Sequence, residues 1–358
     1  MSRAFALDAL ALVLAWTVSS APLPRGWIEQ GYANGMFAAL NRALVPLTDR
    51  IPFAAGDAES LVVLVALVVW WVRALRRAPR GRKLRAVAAL FAHTAGFVAL
   101  GIVVFELAWG LNYRRATVVT RIDYSDARVT DAAVAAFSKR IVATLNTDVA
   151  AAHAETLDRA KLRAAFEPIV HRLGDDWDVA VTVPKTTLID AYYEAAGIGG
   201  QYSPFAFETL LNASFLPVEV PRALAHEWAH VGGFTDEGDA NYIGTLTCLR
   251  SDDALIRYSG AFWTYGDLPE AQRRRLRLDP RVVADFRASR ERFLRHYKPR
   301  LFALQWNFYD RFLRSNGVRG GVASYGFFLK LLVGTPLDAQ GLPVVRSLPV
   351  APPIGGRP

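Results

Sequence analysis

The 358-residue sequence has a single cysteine, Cys248, and only two methionines, Met1 and Met36. One cysteine excludes an internal disulfide and a cysteine-rich zinc site, so any metal ion must be held by histidine and carboxylate side chains. The net charge is +9, but no aromatic and basic module of the kind that binds nucleic acid accompanies it. We therefore expect no nucleic-acid partner.

Apolar residues are concentrated in the first third of the chain. Three segments there are predicted to cross a membrane as helices: roughly Ala4 to Ser20, about Leu61 to Val72 with a start before Leu61, and about Ala86 to Trp109. A cleaved signal peptide is the alternative for the first segment, which carries Asp8 within its apolar run. In the third segment, His93 is expected to bond to a neighbouring helix.

A basic run separates the second and third segments and comprises Arg73, Arg76, Arg77, Arg80, Arg82, Lys83 and Arg85. Loops rich in arginine and lysine remain in the cytoplasm, so this run predicts the orientation of both helices. Everything after Tyr113 is then expected on the extracytoplasmic side of the membrane. Glu106 is expected near the interface where the third segment leaves the bilayer.

From Asp123 onward the pattern becomes that of a mainly helical soluble domain. Helices are predicted from Thr130-Asp131 and over Leu157 to Leu173, and the chain after residue 216, to about Val333, is predicted to be mostly helical. The segments DVAVTVPKTTLI and FETLLNASFL predict strands of a small sheet. Residues 336–358 are rich in proline and glycine, and they are expected to form a flexible tail.

The segment PRALAHEWAHVGGFTDEGDANYIG, Pro221 to Gly244, contains an HExxH pattern. His226 and His230 are four residues apart, so on a helix both imidazoles can occupy corners of one tetrahedral zinc site. Glu227 lies beside His226 and can take a proton from water without binding the metal. Apolar neighbours predict a buried helix, in which such groups would be costly without a metal. The pattern therefore predicts Zn²⁺ bound by both histidines, with Glu227 as catalytic base.

Three carboxylates that follow the pattern compete to be the third metal ligand. Asp236 has the spacing of metzincin-type proteases, but these enzymes place a methionine-containing turn beneath the zinc, and both methionines lie far upstream. Glu237 fits the gluzincin pattern, in which a following helix, capped here by Thr235, also carries a supporting residue such as Asn241. Glu237 is favoured, and Asp236 and Asp239 remain open alternatives.

With these residues in hand, the chain resembles bacterial domain-of-unknown-function family 3810. The resemblance includes IPFAAGD (Ile51 to Asp57), WGLNYRR (Trp109 to Arg115) and YDRFLRSNGVRGGVASYG (Tyr309 to Gly326). It also includes HEWAHVGGFTDEGDANYIG, which is similar to the family's HExAHxxGFxxExEANF core. The family combines three N-terminal spans with an HExxH domain. The resemblance implies a gluzincin-like zinc peptidase with Glu237 as metal ligand, and this chain departs from the pattern at Asp239, where a glutamate is usual.

These observations predict a mainly α fold: an N-terminal bundle of three transmembrane helices, then an α+β zincin-like metallopeptidase domain with a small sheet. Residues 1–112 are expected to form the membrane region, 113–335 the catalytic domain and 336–358 the tail. The expected protein is an integral protein of the bacterial inner membrane. Its expected partners are the lipid bilayer and a peptide or protein substrate.

Two rival functions remain open on sequence alone. A zinc amidase acting on cell-envelope material would use the same residues, and a membrane scaffold could hold a purely structural zinc ion. An intact Glu227 favours an enzyme, since a structural site needs no base beside the metal. A strand near Phe207 to Asn212 is expected to align an extended peptide. Tyr258 and Tyr325 are further candidates, as oxyanion donors.

Overall fold

The computed structural model describes residues 3–179, 181–318, 320–321 and 326–346. The α-helices in chain order are α1 (Arg3–Ser20), α2 (Ala38–Thr48), α3 (Ala55–Arg77), α4 (Lys83–Ala108), α5 (Val118–Arg121), α6 (Asp131–Ala154), α7 (Arg159–Arg172), α8 (Asp190–Ala196), α9 (Val220–Val231), α10 (Glu237–Leu249), α11 (Ala254–Asp267), α12 (Glu270–Arg273), α13 (Pro280–His296), α14 (Pro299–Ser315) and α15 (Phe328–Gly334). A π-helical segment, Trp27–Phe37, leads directly into α2. Strands β1 (Gly200–Ser203) and β2 (Glu208–Leu211) pair antiparallel. The predicted mainly helical fold with a small sheet is confirmed.

Two helices are long and apolar enough to cross a membrane: α3, and α4 together with the turn before it (Arg80–Ala108). No residue of α3 is fully buried, so most of its apolar surface is exposed. Helix α1 is a shorter apolar helix. As expected, α3 begins well before Leu61, and the basic run extends from the end of α3 through the connection into the first turn of α4.

Helix α1 packs along α4 through polar and small residues. Asp8 contacts Nδ1 of His93, so the carboxylate inside the first apolar segment has a partner and the expectation for His93 is confirmed. A Cβ atom at Gly96 would lie 2.4 Å from Oδ1 of Asp8, so the close approach of the two helices requires glycine at that position. Helix α3 is joined to α4 by a hydrogen bond of 3.0 Å from Nε1 of Trp71 to Oγ1 of Thr94.

The segment between α1 and α3 contributes to the main hydrophobic core. Ile28, Tyr32 and Phe37 are fully buried and share one hydrophobic cluster with Trp228 of α9. Nδ2 of Asn41 donates to the backbone oxygen of Val231, at 3.0 Å. Several apolar side chains of residues 27–48, a segment predicted as part of the membrane region, are therefore buried in this cluster although apolar helices flank the segment in the chain.

Capping residues and helical periodicity correctly predicted the positions of several helices. Oγ1 of Thr130 accepts from the backbone N–H of Ala133 at 3.1 Å, which confirms the predicted start of α6. Helix α7 lies within the predicted range 157–173, and Asp158 caps it. The chain from residue 220 to residue 334 is mostly helical wherever the structure describes it. At the centre lies α9, whose residues from Pro221 to Val231 are all buried.

In the predicted strand DVAVTVPKTTLI, the described residues form a single bridge, between Lys185 and Leu210. Pro184 has no N–H, so it cannot extend a ladder on that side of Lys185. The predicted tail also starts too early. The backbone N–H of Asp123 donates to Val344 O at 2.8 Å, and Ile122 pairs with Val345. Residues 347–358 lie outside the described part of the chain.

Candidate metal centre

The HExxH residues lie on α9, and α10 crosses this helix at close range. Gly233 has a φ of +82°, which turns the chain back towards α9. Oδ1 of Asp236 accepts from the N–H groups of Gly238 (2.8 Å) and Asp239 (3.2 Å), so Asp236, and not the predicted Thr235, caps α10. A Cβ atom at Gly244 would lie only 2.8 Å from the backbone nitrogen of His226. Two glycines therefore let the first turn of α10 reach the histidines.

This crossing brings Glu237 against both histidines. Oε2 of Glu237 lies 3.2 Å from Nε2 of His226 and 3.6 Å from Nε2 of His230. The two imidazole rings are almost perpendicular, with centroids 4.8 Å apart. One ligand atom from each of the three buried side chains lies within 4.8 Å of the others. The geometry is that of three ligands converging on one point.

The other two acidic candidates point elsewhere. The Asp236 carboxylate is used as the helix cap. Oδ2 of Asp239 accepts from the backbone N–H of Val118, at 2.8 Å, on the far side of α10 from the histidines. Asn241 lies one turn beyond Glu237, and its Oδ1 accepts from Nη2 of Arg222 at 2.5 Å. Of the three carboxylates, only Glu237 joins the histidines.

Glu227 contacts strand β1. The backbone N–H of Tyr202 donates to its carboxylate, and a Cβ atom at Gly200 would lie 2.6 Å from its Oε1. The strand predicted to align a peptide, β2, lies between two other segments. It pairs with β1 on one side, and on the other side the backbone N–H of Leu211 donates to Lys185 O at 2.8 Å. Strand β2 is therefore paired on both sides, so it has no free edge for the extended peptide expected along Phe207 to Asn212, and β1 is the strand that contacts Glu227 of α9.

Burial and mutual charge shift the pKa values of all four groups. Burial lowers the pKa of His226 to about 4 and raises the pKa of the Glu227 carboxyl to about 8. Burial opposes a charge on His230, but the Glu237 carboxylate outweighs it and raises the pKa of this imidazole to about 9. Burial likewise opposes ionisation of Glu237, yet His230 and His226 keep its pKa well below the usual value. The upward shift for Glu227 is in the direction expected of a general base, because a carboxyl with a raised pKa holds a proton more readily than an exposed one.

The end of α9 is clamped by residues that follow α4 in the chain. Nε1 of Trp109 donates to the backbone oxygen of His230 at 2.9 Å, and Nη1 of Arg115 donates to Gly232 O at 2.9 Å. Nδ1 of His230 lies 2.7 Å from the backbone oxygen of Phe234. A hydrogen bond on Nδ1 orients the ring and leaves Nε2 available to a metal. Part of the WGLNYRR motif therefore supports the second histidine.

Residues of the IPFAAGD motif connect the start of α3 to the small sheet. The carboxylate of Glu208 in β2 accepts from the N–H groups of Ala55 (3.0 Å) and Gly56 (2.8 Å) in the first turn of α3, and also from Nζ of Lys185 at 2.8 Å. Oδ2 of Asp57 accepts from the backbone N–H of Leu188 at 2.6 Å. The start of one apolar helix is thereby fixed to the sheet that contacts Glu227.

Sequence reasoning missed Tyr309, which lies on α14. Its hydroxyl donates to Oε1 of Glu237, the oxygen turned away from the histidines. The only signal was its position as the first residue of the closing family-like motif. Tyr258, which the sequence offered instead, donates to Oδ2 of Asp285 at 2.5 Å in a different cluster, so it is not in the site. Tyr325 lies outside the described residues.

We expect Tyr309→Phe to weaken zinc binding about 10- to 100-fold, because supporting hydrogen bonds of metal ligands have effects of that size. Competition with a chelating dye would measure the affinity. Tyr258→Phe is the matched control, since it removes the same hydroxyl from a residue outside the site, and it should leave the affinity unchanged. Equal affinity in Tyr309→Phe and the unaltered protein would contradict the supporting role.

The donor set fits a zinc ion. Two imidazole nitrogens and one carboxylate oxygen are the protein ligands of many catalytic zinc sites, which keep a fourth position open. Among the described residues, no group completes a hydrogen bond to Oε2 of Glu237 or to Oε2 of Glu227, although both oxygens are buried. Buried carboxylate oxygens without a donor are costly, and a bound cation with its water would satisfy both.

Comparison with known proteins gives one result. The family described as "Protein of unknown function (DUF3810)" matches residues 32–333, which is most of the chain. No curated protein and no solved structure matches significantly. The match includes the buried segment before α3, both apolar helices, the HExxH helix and α14. The chain therefore belongs to the DUF3810 family.

Proposed function

We propose that this protein is a membrane-anchored, zinc-dependent metallohydrolase with a zincin-like, gluzincin-type site, and that it cleaves peptide bonds. The observation that carries the proposal is the buried convergence of His226, His230 and Glu237, with the buried Glu227 carboxyl close enough to interact electrostatically with His230 and Glu237. Structural zinc sites are closed by four protein ligands. Three ligands beside an unpaired carboxyl oxygen favour a catalytic site.

A zinc ion held by His226, His230 and Glu237 would lower the pKa of water to near neutrality and polarise the substrate carbonyl. Glu227 accepts a proton from the attacking water and passes it to the leaving amine nitrogen. The C–N bond breaks, a C–O bond replaces it, and no other reactant is required. Tyr309 acts as a positioning residue, because its hydrogen bond to Oε1 keeps the other oxygen of Glu237 turned towards the histidines.

The proposed location is the bacterial inner membrane, with α1, α3 and α4 as a bundle of three spans. The basic connection between α3 and α4 supports an orientation in which that loop is cytoplasmic. The soluble domain then lies on the extracytoplasmic side. The contact between Asp8 and His93 supports retention of α1 in the mature protein, because removing α1 would leave an ionisable group of α4 without its partner.

Metal analysis of the detergent-purified protein tests the site. We expect about one zinc per chain, lost in both His230→Ala and Glu237→Ala, because three ligands are the minimum for such a site. Asp239→Asn is the control: its carboxylate bonds to Val118 instead of facing the histidines, so it should retain zinc. Absence of zinc from the unaltered protein after reconstitution would refute the proposal, and zinc retained in Glu237→Ala would refute the ligand assignment.

A further inference from the structure

We propose that α14 and the loop before α8 form a second lipid-contacting surface, which lies in the headgroup region of the bilayer next to the candidate metal centre. The proposal concerns an interaction surface; it rests on the membrane location proposed above for α3 and α4 and does not depend on hydrolysis. Its lipid-facing residues are exposed large apolar side chains: Leu188 (74%) and Ile189 (55%) at the loop before α8, Leu304 (67%) and Phe308 (67%) on α14, and Phe205 (47%) in the turn between β1 and β2, which borders this surface. Exposed apolar residues that cluster in this way mark an interaction surface.

This surface is continuous with the ends of both apolar helices. In the last turn of α4, the ring of Phe105 lies 6.2 Å from that of Phe312 in α14 and 6.3 Å from that of Phe205. At the start of α3, Asp57 accepts from the backbone N–H of Leu188. Since α3 and α4 run antiparallel, these two ends meet the same face of the membrane. The exposed residues therefore lie where the chain enters and leaves the bilayer.

Helix α14 also has the composition of an interfacial helix. Arg300, Leu304, Phe308 and Arg311 follow one another at spacings of three and four, so they share one face, and all four are exposed. Apolar side chains flanked by arginine suit the boundary between acyl chains and anionic headgroups. Continuity with the two apolar helices favours lipid over a second protein as the occupant, because a protein partner could bind a surface anywhere on the domain.

The opposite face of the same helix contacts the metal centre, because Tyr309 donates to Glu237. Gln305, one turn earlier, accepts from the hydroxyl of Tyr192 in α8 at 2.7 Å, which joins the two parts of the surface. The diameter of a helix with its side chains is about 10 Å, so the candidate metal centre lies within roughly that distance of the lipid headgroups.

Fluorescence quenching in proteoliposomes tests this surface. Cys248 is fully buried, so single cysteines introduced as Leu304→Cys and Phe308→Cys can be labelled selectively with bimane. The full chain is reconstituted in phosphatidylethanolamine–phosphatidylglycerol vesicles. We expect blue-shifted emission, quenching by a lipid that carries a nitroxide near the headgroup, and loss of quenching by aqueous iodide.

Ala271→Cys is the matched control, because this residue is exposed on the short, charged helix α12. Its label should be quenched by iodide and not by the lipid nitroxide. Iodide quenching at positions 304 and 308 equal to that at 271 would overturn the proposal. Shielding of both positions from both quenchers would also overturn it, because a protein, such as a second copy of this chain, would then cover the surface.

Discussion

Glu227→Gln is expected to reduce peptide hydrolysis about 10²- to 10⁴-fold, the usual contribution of a general base, while leaving the zinc content unchanged. Glutamine has nearly the same shape and can still accept the N–H of Tyr202, but it cannot take a proton from water. The measurement is cleavage of a quenched fluorescent peptide library by the full-length protein in detergent, with zinc determined on the same samples.

The control for this prediction is again Asp239→Asn, which alters a buried carboxylate that contacts Val118 and should keep both zinc and turnover. A scaffold with a structural zinc ion would show no hydrolysis that depends on Glu227. Loss of zinc from Glu227→Gln would make this residue a ligand and contradict its assignment as the base. Unchanged turnover would place hydrolysis at another site.

Arg115→Ala should be the most destabilising substitution among those that do not touch the metal centre. The guanidinium is buried and donates to Oδ1 of Asp175 at 2.7 Å, to Oε2 of Glu29 at 3.2 Å and to Gly232 O. Removing one partner of a buried ion pair strands the other charge, here the fully buried Asp175, at a cost of about 3–5 kcal/mol. A lower thermal unfolding midpoint in detergent would report this loss.

The matched control is Arg274→Ala on α12, whose ion pair with Glu270 is exposed to solvent. Exposed pairs of this kind contribute little, so the unfolding midpoint should stay within experimental error. Asp175→Asn combined with Arg115→Ala should recover part of the lost stability, because no buried charge would remain unpaired. Equal midpoints for Arg115→Ala and the unaltered protein would show that the clamp on α9 does not depend on this ion pair.

Sequence patterns were informative where the controlling interactions are local. The spacing of four between His226 and His230 determines that both rings leave one face of a helix, wherever that helix lies. The cap of α6 at Thr130 involves a residue only three positions away. Long apolar runs likewise identified α3 and α4, because membrane-crossing length depends on composition over consecutive residues.

The same patterns were ambiguous where the direction of a side chain around the helix axis decides whether it reaches the histidines. Asp236, Glu237 and Asp239 all lie within nine residues of His230, and each of them is near enough in the chain to reach a metal. Each residue turns the side chain by about 100° around the axis. Capping by Asp236 sets where α10 begins, and it thereby directs Glu237 towards the histidines and Asp239 towards Val118.

The sequence by itself determined a helical chain with two helices long enough to cross a membrane and a buried HExxH helix, since these depend on periodicity, length and local capping. Only the tertiary structure decided which carboxylate meets the histidines, that Tyr309 supports it from 72 residues away, and that residues 27–48 enter the core. The physical reason is that contacts between distant segments depend on how whole helices pack. The close approach of α10 to α9 at Gly244 and the burial of apolar side chains determine that packing, which cannot be predicted from a short stretch of sequence.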